Sequence, residues 1–108
     1  MSELKNRIAE EVKSAMRAKA TDRLGTLRFL QAAIKQKEVD ERRDLTDADV
    51  TSIIEKQVKQ RRESIAAFEQ AGRTETAAQE TAELAVLKEL GERIGYSLNV
   101  EEIMGLIT

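Results

Sequence analysis

Leu45-Thr46-Asp47-Ala48-Asp49-Val50 starts a helix, and the run from there to Ala71-Gly72 decides the fold. Thr46 has the short hydroxyl side chain favoured at an N-cap. Asp47 and Asp49 place acids in the first turn, where they suit the helix dipole and resemble a capping box. Leu45 before the cap and Val50 after it are spaced to act as a hydrophobic staple. Downstream, Val50, Ile53/Ile54, Val58 (or Gln57), Ile65 and Phe68 keep helical spacing, and Gly72 is a natural residue to follow a helix end.

The same periodicity extends outward in both directions. Leu4, Ile8, Val12 and Ala15/Met16 predict a helix over about residues 3 to 19. Thr21 or Asp22 is placed to cap a second helix, whose stripe is Leu24, Leu27, Leu30/Gln31 and Ile34, widened by Phe29 and Ala33. The polar stretch from Glu38 to Asp44 predicts that this helix frays before the next one starts. Thr74 or Thr76 opens a fourth helix through Leu84, Leu87 and Leu90 to Gly91, and Gly91 and Gly95 bracket an expected turn. Asn99 with Glu102 reads as a capping box for a short last helix carrying Ile103, Leu106 and Ile107. No segment alternates as a strand does. The expectation is an all-α fold: a four-helix, bundle-like domain over residues 1–90, then a hinge and short terminal helix over residues 91–108.

Composition agrees and removes several functions. Charged residues make up 35 % of the 108, proline is absent, and Phe29, Phe68 and Tyr96 are the three aromatics, a helix-former's composition rather than that of a disordered tail. With no cysteine there is no disulfide framework, which points to a reducing compartment. The N-terminus is charged with no apolar core behind it, and no apolar run is long enough to span a bilayer, so the expected location is cytoplasmic, with no membrane partner. No histidine is present either, so the commonest residues of catalysis and metal binding are missing. Serines and threonines have no base to activate them, and the five glycines are scattered rather than gathered into a phosphate loop. No catalytic residue, metal or cofactor is expected.

Charge is unevenly spread. Residues 1–73 carry 16 Lys+Arg against 13 Asp+Glu (+3), and residues 74–108 carry 2 against 7 (−5). A basic body permits a local anion-binding face despite the total of −2. Lys56, Lys59, Arg62 and, less well aligned, Arg61 lie three or four residues apart on the third helix. Arg73 follows at its end, and Arg28 and Lys35 extend that surface if the second and third helices pack antiparallel. Cations at such spacing can follow a phosphate backbone with salt-dependent affinity. The same spacing also suits a solvated face stitched by Glu55–Lys59 and Glu63–Lys59 pairs. The acids Asp40, Glu41, Asp44, Asp47 and Asp49 read as helix-start and loop residues, Glu80 and Glu83 as ordinary exposed helix residues, and Phe68 as core.

The chain resembles a known family at Leu24-Gly25-Thr26-Leu27-Arg28-Phe29-Leu30, Ala32-Ala33-Ile34-Lys35, Leu45-Thr46-Asp47, Lys59-Gln60-Arg61-Arg62-Glu63-Ser64, Phe68 and Ala71-Gly72-Arg73, continued by Glu80, Glu83-Leu84 and Leu87. These residues look like the YqeY family, which is similar to the C-terminal tail of GatB, a subunit of the tRNA-dependent amidotransferase. The resemblance implies an all-helical fold with a four-helix N-terminal part and a smaller helical C-terminal part. Of that distal part this chain, ending at Thr108, is expected to hold little. It also implies tRNA contact by the helical tail, with Arg28, Lys35, Lys59, Arg61, Arg62 and Arg73 as candidate contacts. The amidotransferase's catalytic and glutamine-hydrolysing sites lie elsewhere in that enzyme, so a label of carbon–nitrogen ligase with glutamine as amido donor does not carry over as chemistry. The alternative expectation is a protein-interaction or oligomerisation domain that does not bind RNA.

Overall fold

A computed structural model describes residues 2–93, which form four helices and no strand: α1 (Glu3–Arg17), α2 (Thr21–Glu41), α3 (Asp47–Gln70) and α4 (Thr74–Arg93). Of the expected hinge, residues 91–93 fall within α4; the rest of it and the last helix lie outside the described residues. α3 packs most extensively on α4, α1 chiefly on α2, and α2 reaches both α3 and α4. The all-α, bundle-like reading is therefore observed.

Local chemistry sets the ends of α3. The Thr46 hydroxyl accepts from the Asp49 backbone N–H at 3.2 Å, and the Asp49 carboxylate accepts from the Thr46 backbone N–H at 2.9 Å, a complete capping box. Leu45 and Val50 on either side of it are both buried. At the other end Gly72 takes φ +75°, a left-handed conformation that costs glycine nothing. Ser2 caps α1 through the Lys5 N–H and also donates to Asp47, which in turn accepts from the Leu4 N–H at 3.1 Å. The starts of α1 and α3 are thus held by one carboxylate.

The core is a single cluster drawn from every helix: Leu4, Ile8, Val12 and Ala15 from α1, Leu27, Leu30 and Ile34 from α2, Val50, Ile54 and Val58 from α3, and Leu84, Leu87 and Leu90 from α4. Several boundaries differ from expectation. α2 starts without a side-chain cap: Ala20 is its N-cap, and Thr21 and Asp22 lie inside the helix. It does not fray through the polar stretch but runs to Glu41 and stops at Arg42, whose φ of 55° is left-handed. Side chains at this corner hold it, since Glu38 pairs with Lys5 and accepts from the Leu45 N–H at 3.1 Å. Gly91 lies within α4 rather than ending it. Phe29 does not widen the buried stripe of α2; it is 60 % exposed.

Candidate nucleic-acid interface

Pocket linings fix how α2 and α3 face each other. The C-terminal part of α2 (Lys37, Asp40, Glu41) lies near the N-terminal part of α3 (Asp49, Ser52, Ile53), while Gly25 and Phe29 lie near Gln60, Arg61 and Ser64. The two helices are antiparallel. That condition was required for Arg28 and Lys35 to extend the surface of α3, but their direction is different. Arg28 donates to the Met16 sulfur of α1 at 3.3 Å, and Lys35 lines a groove with Lys5 and Ile8. Both cations belong to the α1 flank of α2.

On α3, residues three apart are turned about 60° from one another around the helix axis. Lys56, Lys59 and Arg62 therefore spiral across the outer surface, with Lys56 and Lys59 exposed and Arg62 half-buried. Arg73, just beyond the helix, lies with its guanidinium 5.6 Å from the centre of the Phe68 ring. Phe68 is half-buried beneath it rather than part of the core cluster.

Among the described residues, none of Arg28, Lys35, Lys56, Lys59, Arg62 and Arg73 forms an ion pair with an acid, so the Glu55–Lys59 and Glu63–Lys59 stitching is not formed. Several cations elsewhere are engaged by the fold. Arg23 joins Glu11 of α1 to Glu89 of α4 (2.6 Å to Glu89), Lys5 pairs with Glu38, and Arg43 bridges Glu41 at 2.7 Å and Asp49 at 2.8 Å.

Arg61 stands apart from the other candidates. It follows Val58 by three residues and precedes Ile65 by four, which places it on the inward stripe of α3. Its side chain is 12 % exposed, it pairs with Glu83 and lies 3.6 Å from Glu80 of α4, and its guanidinium sits 5.5 Å from the centre of the Phe29 ring. Glu80 and Glu83 are consequently half-buried partners, not the ordinary exposed residues that spacing suggested.

Around Arg61 runs a groove of about 500 Å³ between α2, α3 and α4. Phe29, Gln57, Gln60, Ser64, Glu80 and Glu83 line it with Arg61. Two polar atoms there are buried without a hydrogen-bond partner among the described residues, Gln57 Oε1 and Arg61 Nε. Sequence reading missed Gln57 and Phe29 as site residues. Arg61 on an apolar stripe, with two glutamates three residues apart on another helix to meet it, was the available signal.

The acids at the α2–α3 corner are structural. The Arg43 guanidinium, followed by the Thr46 N–H and hydroxyl, holds the Asp49 carboxyl well below its usual range. The Ser2 hydroxyl and then the Leu4 N–H lower Asp47, and Lys5 and then the Leu45 N–H lower Glu38. The Lys37 ammonium, helped by Arg43, lowers Glu41.

Two comparisons bear on identity. The family model described as Yqey-like protein matches residues 5–107. A protein named altered inheritance of mitochondria protein 41, mitochondrial, from Pyrenophora tritici-repentis (strain Pt-1C-BFP), is 35 % identical over 91 residues, which is 84 % of this chain and 47 % of that protein. The chain therefore spans about half the length of this curated relative.

Proposed function

This chain belongs to the Yqey-like protein family, and from that premise we propose that it is a non-catalytic helical module that contacts tRNA through its phosphate backbone. The observation that carries this reading is the division of the cations. Arg61 is committed to the fold, whereas Lys56, Lys59 and Arg62 spread over the outer face of α3 with no acid paired to them among the described residues. Uncompensated cations retain the counterion-releasing contacts on which phosphate affinity depends. Arg73 continues this surface past the helix end, while Arg28 and Lys35 offer a separate contact on the α1 flank. The similarity to the tail of an amidotransferase subunit supports tRNA as the polyanion; the amidation chemistry belongs to that larger enzyme. A reducing compartment, taken here as the cytoplasm, goes with this reading because the chain has no cysteine from which to build a disulfide framework.

The test is tRNA affinity as a function of salt, with Lys56, Lys59 and Arg62 replaced together by alanine and Arg61 left in place. Three lost phosphate contacts lower the slope of log K against log salt by about 2–3. An unchanged slope and affinity refute the site. A second reading, a protein-interaction or self-association surface, is favoured by Phe29 and Val39, which are 60 % and 59 % exposed on α2. A sedimentation coefficient that rises with protein concentration, without tRNA, supports self-association; a constant monomer value opposes it.

A further inference from the structure

α2 carries apolar residues on two faces. α1 gathers its apolar residues on one side, whereas in α2 the buried Leu27, Leu30 and Ile34 are opposed by a second stripe turned to solvent. Phe29, Ala32, Gln36 and Val39 follow one another at steps of three, four and three residues, the spacing of a seam on which a second helix packs. They span about 80° of the helix circumference and about 15 Å of its length, some three turns. All four are exposed, Phe29 by 60 % and Val39 by 59 %. Met16 of α1, 46 % exposed, borders the stripe through its contact with Arg28. These three are the exposed large apolar side chains among the described residues, so that exposure is concentrated at one helix. We propose that this face docks an amphipathic helix of a separate protein, one whose apolar seam is flanked by acidic residues.

The charges choose the partner. Arg28 and Lys35 stand immediately beside the seam, each one residue before a seam position, and neither pairs with an acid among the described residues. Flanking positions of this kind select partner and orientation through ion pairs between helices. The acids nearest the seam are already engaged: Asp40 accepts from the Gln36 side-chain amide at 2.9 Å, and Glu41 is paired with Lys37 at 2.9 Å and Arg43 at 2.7 Å. On the α3 side the stripe deepens into a groove of about 600 Å³, with Phe29, Ala33 and Gln36 on one wall and Ile53 and Lys56 on the other. The surface thus offers an apolar centre with positive charge along its edges, the complement of an acid-flanked helix.

Other occupants fit less well. A second copy set antiparallel would bring Arg28 and Lys35 of one α2 against the same two cations of the other. Set parallel, Lys35 would meet Asp40, whose carboxylate already serves Gln36, and Arg28 would meet Ala33. A phosphate backbone would use the two cations but leave Met16 and Val39 uncovered. Arg28 and Lys35, set apart from the cations of α3, therefore serve a different ligand from Lys59 and Arg62.

The experiment measures binding of two fluorescent peptides to the full chain. Both carry leucine at the seam positions of about three helical heptads, one with glutamate and the other with lysine at the flanking positions. The expected result is saturable binding of the glutamate peptide and about tenfold weaker binding of the lysine peptide, because two flanking attractions become repulsions. Phe29→Ser with Val39→Ser should abolish binding of both peptides. Arg28→Glu with Lys35→Glu should reverse the preference between them. All four positions are exposed, and melting followed by far-UV circular dichroism checks that the variants fold. Equal affinity for the two peptides, or a preference that survives the charge reversal, would overturn the proposal, as would binding of neither. A dimer of the chain alone, lost in the serine variant, would assign the face to a second copy instead. Displacement of the glutamate peptide by tRNA in the Lys56, Lys59 and Arg62 triple variant would assign it to RNA. Peptide binding without tRNA binding would support this face and remove only the α3 reading.

Discussion

Replacing Arg61 with alanine should destabilise the whole domain, although alanine is the better helix former. The arginine side chain is 12 % exposed, and Glu80 and Glu83 are 26 % and 27 % exposed. Breaking a wholly buried pair costs about 3–5 kcal/mol, because a charge is left without its partner. Fully exposed pairs are worth about 1 kcal/mol or less. A cluster between these limits loses about 2 kcal/mol, and the lost contact with the Phe29 ring adds about 0.5–1 kcal/mol. For a domain of this size that corresponds to a melting temperature lower by roughly 10–20 °C. Thermal unfolding followed by far-UV circular dichroism measures it. Arg61→Met combined with Glu83→Gln should recover part of the loss, since it removes the nearer of the two stranded carboxylates along with the cation. Lys56→Ala and Lys59→Ala should each stay within about 0.5 kcal/mol of the parent, as exposed substitutions do. If Arg61→Ala melts within about 2 °C of the parent, a shift worth less than about 0.5 kcal/mol, the inward role assigned to this residue is wrong.

Other consequences are more local. Gly25→Ala should stabilise α2 by about 0.5–1 kcal/mol and raise the melting temperature, because nothing lies where its methyl would go; a lower value would mean the site is more crowded than it looks. Thr46→Ala removes the hydroxyl half of the α3 capping box and should cost about 1 kcal/mol in a denaturant titration, with Thr46→Ser close to neutral. Asp49, Asp47, Glu38 and Glu41 all have carboxyls lowered by their native partners, so their stabilisation is complete above the ordinary values of 3.8 and 4.5 and is lost as pH falls below them. Melting temperature should therefore drop between about pH 5 and pH 2, and Asp49→Asn should flatten that profile; a parallel profile would contradict the assignment.

What could be read from sequence depended on how local the chemistry was. The start of α3 was legible because Thr46, Asp49, Leu45 and Val50 satisfy one another within six residues. Gly72 was legible because few residues tolerate φ +75°. The end of α2 was not, because Arg42 occupies a left-handed position that sequence offers no reason to give an arginine. Its neighbours are held by Lys5 from α1 and by Arg43 bonded across the corner, contacts that periodicity does not show. Phe29 illustrates the same limit from the other side. It adjoins the buried Leu30, and a single helical step of about 100° separates a core position from an exposed one. Whether the flank of a stripe is covered depends on where α4 lies, and here Arg61 and its glutamates occupy the space where an apolar neighbour would have sat.

The division of charge also explains how a chain of net charge −2 is compatible with the proposed polyanion contact. A charge total weights every group equally, whereas a docked phosphate backbone interacts mainly with charges within about 8–10 Å at physiological salt. Many acids on this domain are already engaged: Glu80 and Glu83 with Arg61, Glu41 and Asp49 with Arg43, Glu38 with Lys5, and Asp47 with the start of α1. Lys5 offsets Glu38, Lys37 and Arg43 together offset Glu41 and Asp49, and Arg61 offsets one of its two glutamates, which reduces the field these acids send outward. The cations of the outer α3 face have no such partner, so their field reaches the solvent. Charge reversal at a paired acid and at an unpaired cation should therefore differ in kind. Glu83→Lys would disturb the fold by placing a cation against Arg61, whereas Lys59→Glu would leave the melting temperature nearly unchanged and reduce tRNA affinity by more than Lys59→Ala does. Equal losses of affinity from Lys59→Ala and Lys59→Glu would mean that no phosphate lies near this position.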